Sequence, residues 1–151
     1  MGRQSLKLIL IPTDFSPGAE PALDWATTLA ELTNADITLL HVFDFVTPAL
    51  AGAMAEAGAW VDDQIIERAR EEANAAMARV AAGLPGAKTL LRDGTPSAVI
   101  LEVAEEVHAD IIVMGTHGHR GLAHVLLGSV AEHVVRSSRI PVLTVRQTEP
   151  S

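Results

Sequence analysis

Hydrophobic positions along the chain follow two different spacings. Short and nearly continuous apolar runs predict strands that are covered on both faces, as in a parallel sheet. These runs occupy residues 6–11, 37–43, 87–92, 111–114 and 141–145. Between them, apolar residues recur three and four positions apart, which predicts amphipathic helices. Strands that alternate with helices indicate right-handed βαβ crossovers and therefore an α/β layered fold.

Capping signals predict where the helices begin. Ser16-Pro17 is typical of an N-cap followed by proline at the first helical position. Ser129 and Glu132 have the spacing of a capping box, so Ser129 is expected to cap the last helix. Within the first helix, Trp25 follows the same helical spacing as Ala22 and is predicted to be a core residue.

The stretch from Asp44 to about Trp60 has no clear period. It is rich in alanine and contains a proline and two glycines, so a loop or the frayed start of a helix is expected there. From Val61 onward the apolar spacing predicts one long amphipathic helix that stops near Gly83.

Composition narrows the class of protein. The 151 residues are 48% hydrophobic and suit one globular domain, predicted to span residues 1–151. No cysteine is present, which excludes disulfides, thiolate catalysis and cysteine-bound metal. The chain shows neither a signal-peptide pattern nor an apolar run near the ~18–20 residues that cross a bilayer, so a cytoplasmic protein without membrane contact is expected.

Charge argues against nucleic acid as a partner. The net charge is −8 and aromatic residues are 3%, whereas nucleic-acid binding needs a basic footprint and stacking surfaces. Basic residues are nevertheless concentrated near the C-terminus, where four arginines follow Gly115 against two glutamates. A small anion would find a locally positive neighbourhood there.

One segment carries most of the functional information. It follows the fourth predicted strand and has the spacing Gly115-x2-Gly118-x9-Gly128-Ser129. Glycines between a strand and a helix let backbone N–H groups approach an anion closely, so the segment predicts a phosphate cradle. It is not a P-loop, because no lysine is near Gly128, and its glycines do not have the spacing of a dinucleotide fingerprint.

This spacing resembles that of the universal stress protein family, in its ATP-binding branch. The resemblance extends over nearly the whole chain. It includes the segments Ile11-Pro12-Thr13-Asp14-Phe15-Ser16, Leu40-His41-Val42, Gly94-Thr95-Pro96, Ala109 to Gly115, and Pro141 to Val145. Several separate segments in the same order make a chance agreement improbable.

The resemblance implies an open five-stranded parallel sheet in the order 3-2-1-4-5, with helices on both faces, of the adenine-nucleotide alpha-hydrolase-like type. It implies that Asp14 lies beside Gly115 and that the chain forms a homodimer through strand Val142–Val145. It also implies an ATP site. The residues expected around the nucleotide are Pro12, Thr13, Asp14, Val42, Met114, Gly115, Gly118, His119, Gly128, Ser129 and Val130.

Simpler interpretations of the same residues stay open. Asp14 could cap the following helix, and the Ser129 hydroxyl could serve its own helix rather than a phosphate. A metal site at His117, His119 and His124 is a further hypothesis, although His117 and His119 suit phosphate contacts better.

Evidence for catalysis is thin. No lysine is placed to stabilise a transferring phosphoryl group, and Asp14 is the one candidate to hold Mg²⁺ or to orient water. We therefore expect ATP binding with slow hydrolysis at most, in a regulatory or stress-response role with an unidentified protein partner. The alternatives are an ATP-using phosphoryl or adenylyl transferase, and a dimeric interaction protein that binds no nucleotide.

Overall fold

Five parallel strands form one sheet in the order β3-β2-β1-β4-β5. The computed structural model describes residues 2–44, 48–59, 62–118 and 126–148. The strands are β1 (Leu8–Pro12), β2 (Asp36–Phe43), β3 (Lys88–Asp93), β4 (Ile111–Gly115) and β5 (Val142–Val145). The helices are α1 (Glu20–Thr33), α2 (Pro48–Glu56), α3 (Asp63–Ala82), α4 (Pro96–Glu106) and α5 (Ser129–Ser137). The predicted strand order is confirmed.

Both faces of the sheet are covered, as the continuous apolar runs predict. On β1, Leu10 faces α4 and α5, whereas Ile9 and Ile11 face α1 and α3. All three side chains are fully buried. Burial of each contributes about 1.5–3 kcal/mol relative to an exposed position, so the central strand anchors both halves of the core.

Helix α1 lies close against the sheet through its alanines. Ala22 and Ala26 are fully buried, whereas Trp25 is 53% exposed. The prediction that Trp25 belongs to the core was wrong. The apolar face of an amphipathic helix is wide enough to include positions at its margin. Here the two alanines face the sheet, and the Trp25 indole lies at the margin beside them.

Two other helix predictions need correction. The residues after Ser16 first form a short 3₁₀ turn, Pro17–Ala19, before α1 begins at Glu20. The stretch predicted as a loop or frayed helix contains α2, which begins at a proline and is rich in alanine, the best helix former. Neither terminus of the long helix α3 departs from its prediction by more than about two residues.

The N-cap of α5 also differs from its prediction. Gly128 is the N-cap and Ser129 is the first helical residue, so the predicted capping box at Ser129 and Glu132 was wrong. The Glu132 carboxylate pairs instead with Arg136, one turn further along the helix. Both side chains are exposed, and a pair of this kind stabilises a helix only slightly.

None of the helices in the part of the chain that the structure describes is long and apolar enough to cross a membrane.

Candidate functional site

A crevice opens between β1 and β4 at the carboxyl ends of the strands. The register between these strands ends at Leu10 and Ile112, although β1 continues to Pro12 and β4 to Gly115. The winding direction of the sheet reverses at the same place, because β2 lies on one side of β1 and β4 lies on the other. Ligands of open α/β sheets bind at such reversal points.

The loop after β1 holds Asp14 in a tight turn. Oδ1 of Asp14 accepts hydrogen bonds from the Ser16 N–H, at 3.0 Å, and from the Ser16 hydroxyl. Asp14 does not cap a helix, since the N-cap of the 3₁₀ turn is Ser16 and that of α1 is Ala19. The carboxylate is instead part of a local Asx turn, in which Oδ1 rather than Oδ2 accepts from Ser16.

Oδ2 of Asp14 lies against Gly118 in the loop after β4. A Cβ atom on Gly118 would be 2.1 Å from Oδ2, a distance that no real Cβ contact reaches. The φ angle of Gly118 is not positive, so the glycine is required by this close approach rather than by its backbone conformation. The structure thus brings two predicted site residues together.

The atoms nearest to Gly115 belong to the 3₁₀ turn. A Cβ on Gly115 would be 2.4 Å from the backbone oxygen of Gly18, and a Cβ on Gly18 would be 2.4 Å from the backbone oxygen of His117. The Asp14 carboxylate thus contacts Gly118, and Gly115 packs against the 3₁₀ turn. The backbones after β1 and β4 are in direct contact.

The start of α5 is held close to the end of β4. The Gly128 N–H donates to the Thr116 carbonyl at 2.7 Å, and the Thr116 N–H donates to the Val145 carbonyl at 3.2 Å. The first intrahelical bond of α5 runs from the Glu132 N–H to the Gly128 carbonyl. The amides of Ser129, Val130 and Ala131 consequently have no acceptor within the helix, which suits an anion.

Val42 offers backbone groups to the same crevice. The Leu40 carbonyl accepts from the Thr13 N–H at 2.8 Å, so Leu40 directs its backbone toward β1. Residues two apart on a strand face the same neighbour, and Val42 therefore directs its N–H and C=O beyond Pro12, where β1 has ended. The side chains of Pro12, Val42 and Met114 are buried beneath this end of the sheet.

The histidines of the glycine-rich segment are only partly described. Nδ1 of His117 is 2.9 Å from the Thr116 hydroxyl. His119 and His124 lie outside the described residues, so the metal hypothesis and the predicted role of His119 remain predictions. Within the described ranges, no three histidine, aspartate or glutamate side chains are grouped to hold a metal ion.

A separate groove of about 380 Å³ lies between α1 and α3. Its lining includes Thr13, Phe15 and Ser16 on one side and Arg79 and Val80 on the other. None of its lining residues belongs to β4 or to the segment after it. The groove therefore lies behind the Asp14 turn and outside the crevice.

Three residues of the site were not predicted to be functional. Gly18 could have been noticed, because Pro-Gly after a strand marks a tight turn. Thr116 is buried and links three segments, but its neighbours come from distant parts of the chain and leave no local signal. His41 contacts the Asp14 turn, with Nδ1 2.8 Å from the Thr13 carbonyl oxygen.

Comparison with known proteins adds an independent line of evidence. Residues 6–146 match the model of the universal stress protein family. Universal stress protein MJ0531 of Methanocaldococcus jannaschii is 39% identical over 150 residues, which cover 97% of this chain and 85% of the relative. Universal stress protein MJ0577 of the same organism is 32% identical over 154 residues, which cover 93% of this chain and 95% of the relative.

Solved structures resemble the fold as well. The structure of MJ0577 has a TM-score of 0.81 at 33% identity and covers 97% of this chain and 100% of its own. A universal stress protein in complex with cAMP has a TM-score of 0.62 at 28% identity, with coverage of 96% and 100%. With the strand order, these similarities confirm the adenine-nucleotide alpha-hydrolase-like fold.

Proposed function

The chain belongs to the universal stress protein family, and from that premise we propose that it binds ATP in the crevice between β1 and β4. The observation that carries the proposal is the contact of Asp14 with Gly118, in which a carboxylate occupies the space that any side chain would need. Two loops that are about 100 residues apart in sequence meet at this contact. Occupancy of the crevice would control a regulatory role in the stress response.

Each part of an adenine nucleotide has a matching group. The N–H and C=O of Val42 suit the edge of adenine, which offers one acceptor and one donor side by side. Asp14 suits the ribose hydroxyls, because a carboxylate accepts two hydrogen bonds. The free amides at the start of α5 suit the phosphates, and the helix dipole adds about 0.3–1 kcal/mol. A relative of the same family has been solved with cAMP, which supports an adenine nucleotide as the ligand.

Binding rather than turnover is the proposed activity. The sequence has two lysines, Lys7 and Lys88, and neither is in the loops that form the crevice. Mg²⁺ bound with the phosphates would take most of its ligands from phosphate oxygens and water, since Asp14 is the one carboxylate predicted for the site. Fast turnover of ATP by the purified protein would favour the phosphoryl or adenylyl transferase, and absence of nucleotide binding would favour the interaction protein.

Calorimetric titration with ATP, ADP and AMP tests the proposal. We expect saturable binding by the wild-type protein and a Kd for ATP about tenfold higher in Asp14→Asn, which keeps an oxygen for Ser16 but loses the charge. Asp24→Asn is the matched control, since Asp24 lies in the groove between α1 and α3 rather than in the crevice. Failure of the wild type to bind any of the three nucleotides would refute the proposal.

We further propose that two copies of the chain pair through β5, at the open edge of the sheet. The Pro141 carbonyl accepts from Ile112 of β4, and the Val145 carbonyl accepts from Thr116 just after β4, so the residues between them alternate in direction. Val142 and Thr144 therefore direct their N–H and C=O groups away from the sheet. An edge with such groups on a short apolar strand favours pairing with a second strand.

Removal of one outward N–H group should disrupt this pairing. Thr144→Pro loses an edge donor without loss of a bond to β4, because proline is tolerated on edge strands. We expect light scattering to give twice the 16.0 kDa chain mass for the wild type at micromolar concentration, and the chain mass for Thr144→Pro. Thr144→Val keeps the N–H group and should stay dimeric; a monomeric wild type would contradict the proposal.

A further inference from the structure

His41 contacts both residues that flank Asp14. Its Nδ1 atom lies 2.8 Å from the Thr13 carbonyl oxygen, and its ring lies on the Phe15 ring with centroids 4.3 Å apart and planes tilted by 33°. Strand alternation puts His41 on the face of β2 that also carries Leu39, toward α1 and α3. The imidazole therefore supports the Asp14 turn from behind.

The hydrogen bond to Thr13 continues the strand ladder by means of a side chain. A carbonyl oxygen can only accept, so Nδ1 of His41 is the donor. The Thr13 N–H already donates to the Leu40 carbonyl at 2.8 Å, and the backbone register of β1 with β2 ends one residue earlier, at Pro12 and Leu40. Both backbone polar groups of Thr13 are thus held by β2.

The ring contact stabilises an unfavourable backbone conformation. Phe15 has a φ angle of +63°, in the left-handed region that a bulky residue rarely adopts. Such a conformation costs free energy and persists only when its surroundings determine it. Two of the contacts that hold it are with the His41 ring and, by a hydrogen bond of 3.1 Å from the Phe15 N–H, with the Thr13 hydroxyl.

We propose that His41 is a positioning residue for the nucleotide site and acts through Asp14. With Thr13 and Phe15 both held, the backbone of Asp14 has little freedom, and its carboxylate is directed onto Gly118. His41 itself touches the back of the turn rather than the crevice. This inference rests on the proposed ATP site and adds the residue that orients its carboxylate before the ligand arrives.

Two variants separate the two contacts. Asparagine at position 41 places an amide N–H near the position of Nδ1 and keeps the donor, but it lacks the ring. Phenylalanine keeps the ring for Phe15 but lacks the donor. Leucine fills comparable volume and keeps neither, so it distinguishes a positioning role from simple packing in the core.

The test is titration with ATP at a temperature well below the unfolding midpoint of every variant. We expect the Kd to rise about tenfold in His41→Leu and about threefold in each of His41→Asn and His41→Phe. His108→Asn is the matched control. His108 is exposed just before β4, at the amino ends of the strands and away from the crevice at their carboxyl ends, and its φ of +56° is one that asparagine tolerates. An unchanged Kd in His41→Leu would overturn the inference while leaving the ATP site intact.

A double-mutant cycle shows whether His41 acts through Asp14. In the Asp14→Asn background, His41→Leu should raise the Kd less than about twofold further, because the group that it positions has already lost its charge. An undiminished tenfold effect in that background would also overturn the inference.

Amide hydrogen exchange provides a readout that needs no nucleotide. The Phe15 and Ser16 amides, which donate within the turn, should exchange faster in His41→Leu than in the wild type. If the wild type binds no nucleotide, the proposed function fails whatever these rates are. If the exchange is unchanged, the positioning role fails even where ATP binds.

Discussion

Gly118→Val is expected to abolish detectable ATP binding and to leave the fold intact. A Cβ on Gly118 would be 2.1 Å from Oδ2 of Asp14, and the branched side chain would extend further into the crevice. The obstacle is the end of a side chain that can rotate away, and Gly118 is exposed, so the backbone has no reason to move. We expect a rise in Kd of at least about a hundredfold by calorimetry and a change in unfolding free energy within about 1 kcal/mol.

Alanine variants provide the control for this effect. Gly118→Ala should also displace the Asp14 carboxylate and weaken binding, although less than valine does. Gly52→Ala adds the same methyl group where no atom lies within 4 Å, and its Kd should match the wild type. A Gly118→Val protein that binds ATP with unchanged affinity would show that the crevice is not the binding site.

Periodicity predicted β1, β2 and β4 most clearly, because these strands are buried on both faces and leave nearly continuous apolar runs. It could not predict the order of the strands. Leu10 and Leu40 are equally buried whichever strand lies next to them, since burial does not depend on which neighbour provides it. The order came from the resemblance to a family, and with it came the prediction that the loops after β1 and β4 would meet.

Predictions from local spacing failed where several neighbouring residues could serve as the N-cap of a helix or as its buried face. Ser129 and Glu132 have the spacing of a capping box, but the chain enters α5 one residue earlier and uses Gly128 as the N-cap. The helical stripe of α1 contains both alanines and Trp25, and only packing against the sheet decides which of them is buried. A spacing rule describes a helix by itself, whereas the outcome depends on its neighbours.

The contacts within the site were the least predictable part. Gly115 and Gly118 have the same local signal, a glycine after a buried strand, and the sequence treats them alike. The structure separates them, because one faces the backbone of Gly18 and the other faces the side chain of Asp14. We therefore expect the two glycines to have different roles, one in the fold and one in binding.

Gly115→Ala is therefore expected to destabilise the fold. The new Cβ would be 2.4 Å from the Gly18 backbone oxygen and 3.1 Å from its carbonyl carbon, both parts of a backbone held between Ser16 and α1. Its φ angle is not positive, so the cost is steric alone. Overpacking against backbone typically costs up to about 3 kcal/mol, and we expect a loss of this size in urea unfolding.

Two further variants sharpen this prediction. Gly18→Ala meets the His117 backbone oxygen at 2.4 Å and should cost a similar amount, because it disturbs the same junction of the two loops from the other side. Gly118→Ala should cost less than about 1 kcal/mol, since only a side chain has to move. If Gly115→Ala were as stable as Gly118→Ala, β4 and the 3₁₀ turn would be able to move apart without a loss of unfolding free energy. The division between a structural and a binding glycine would then be wrong.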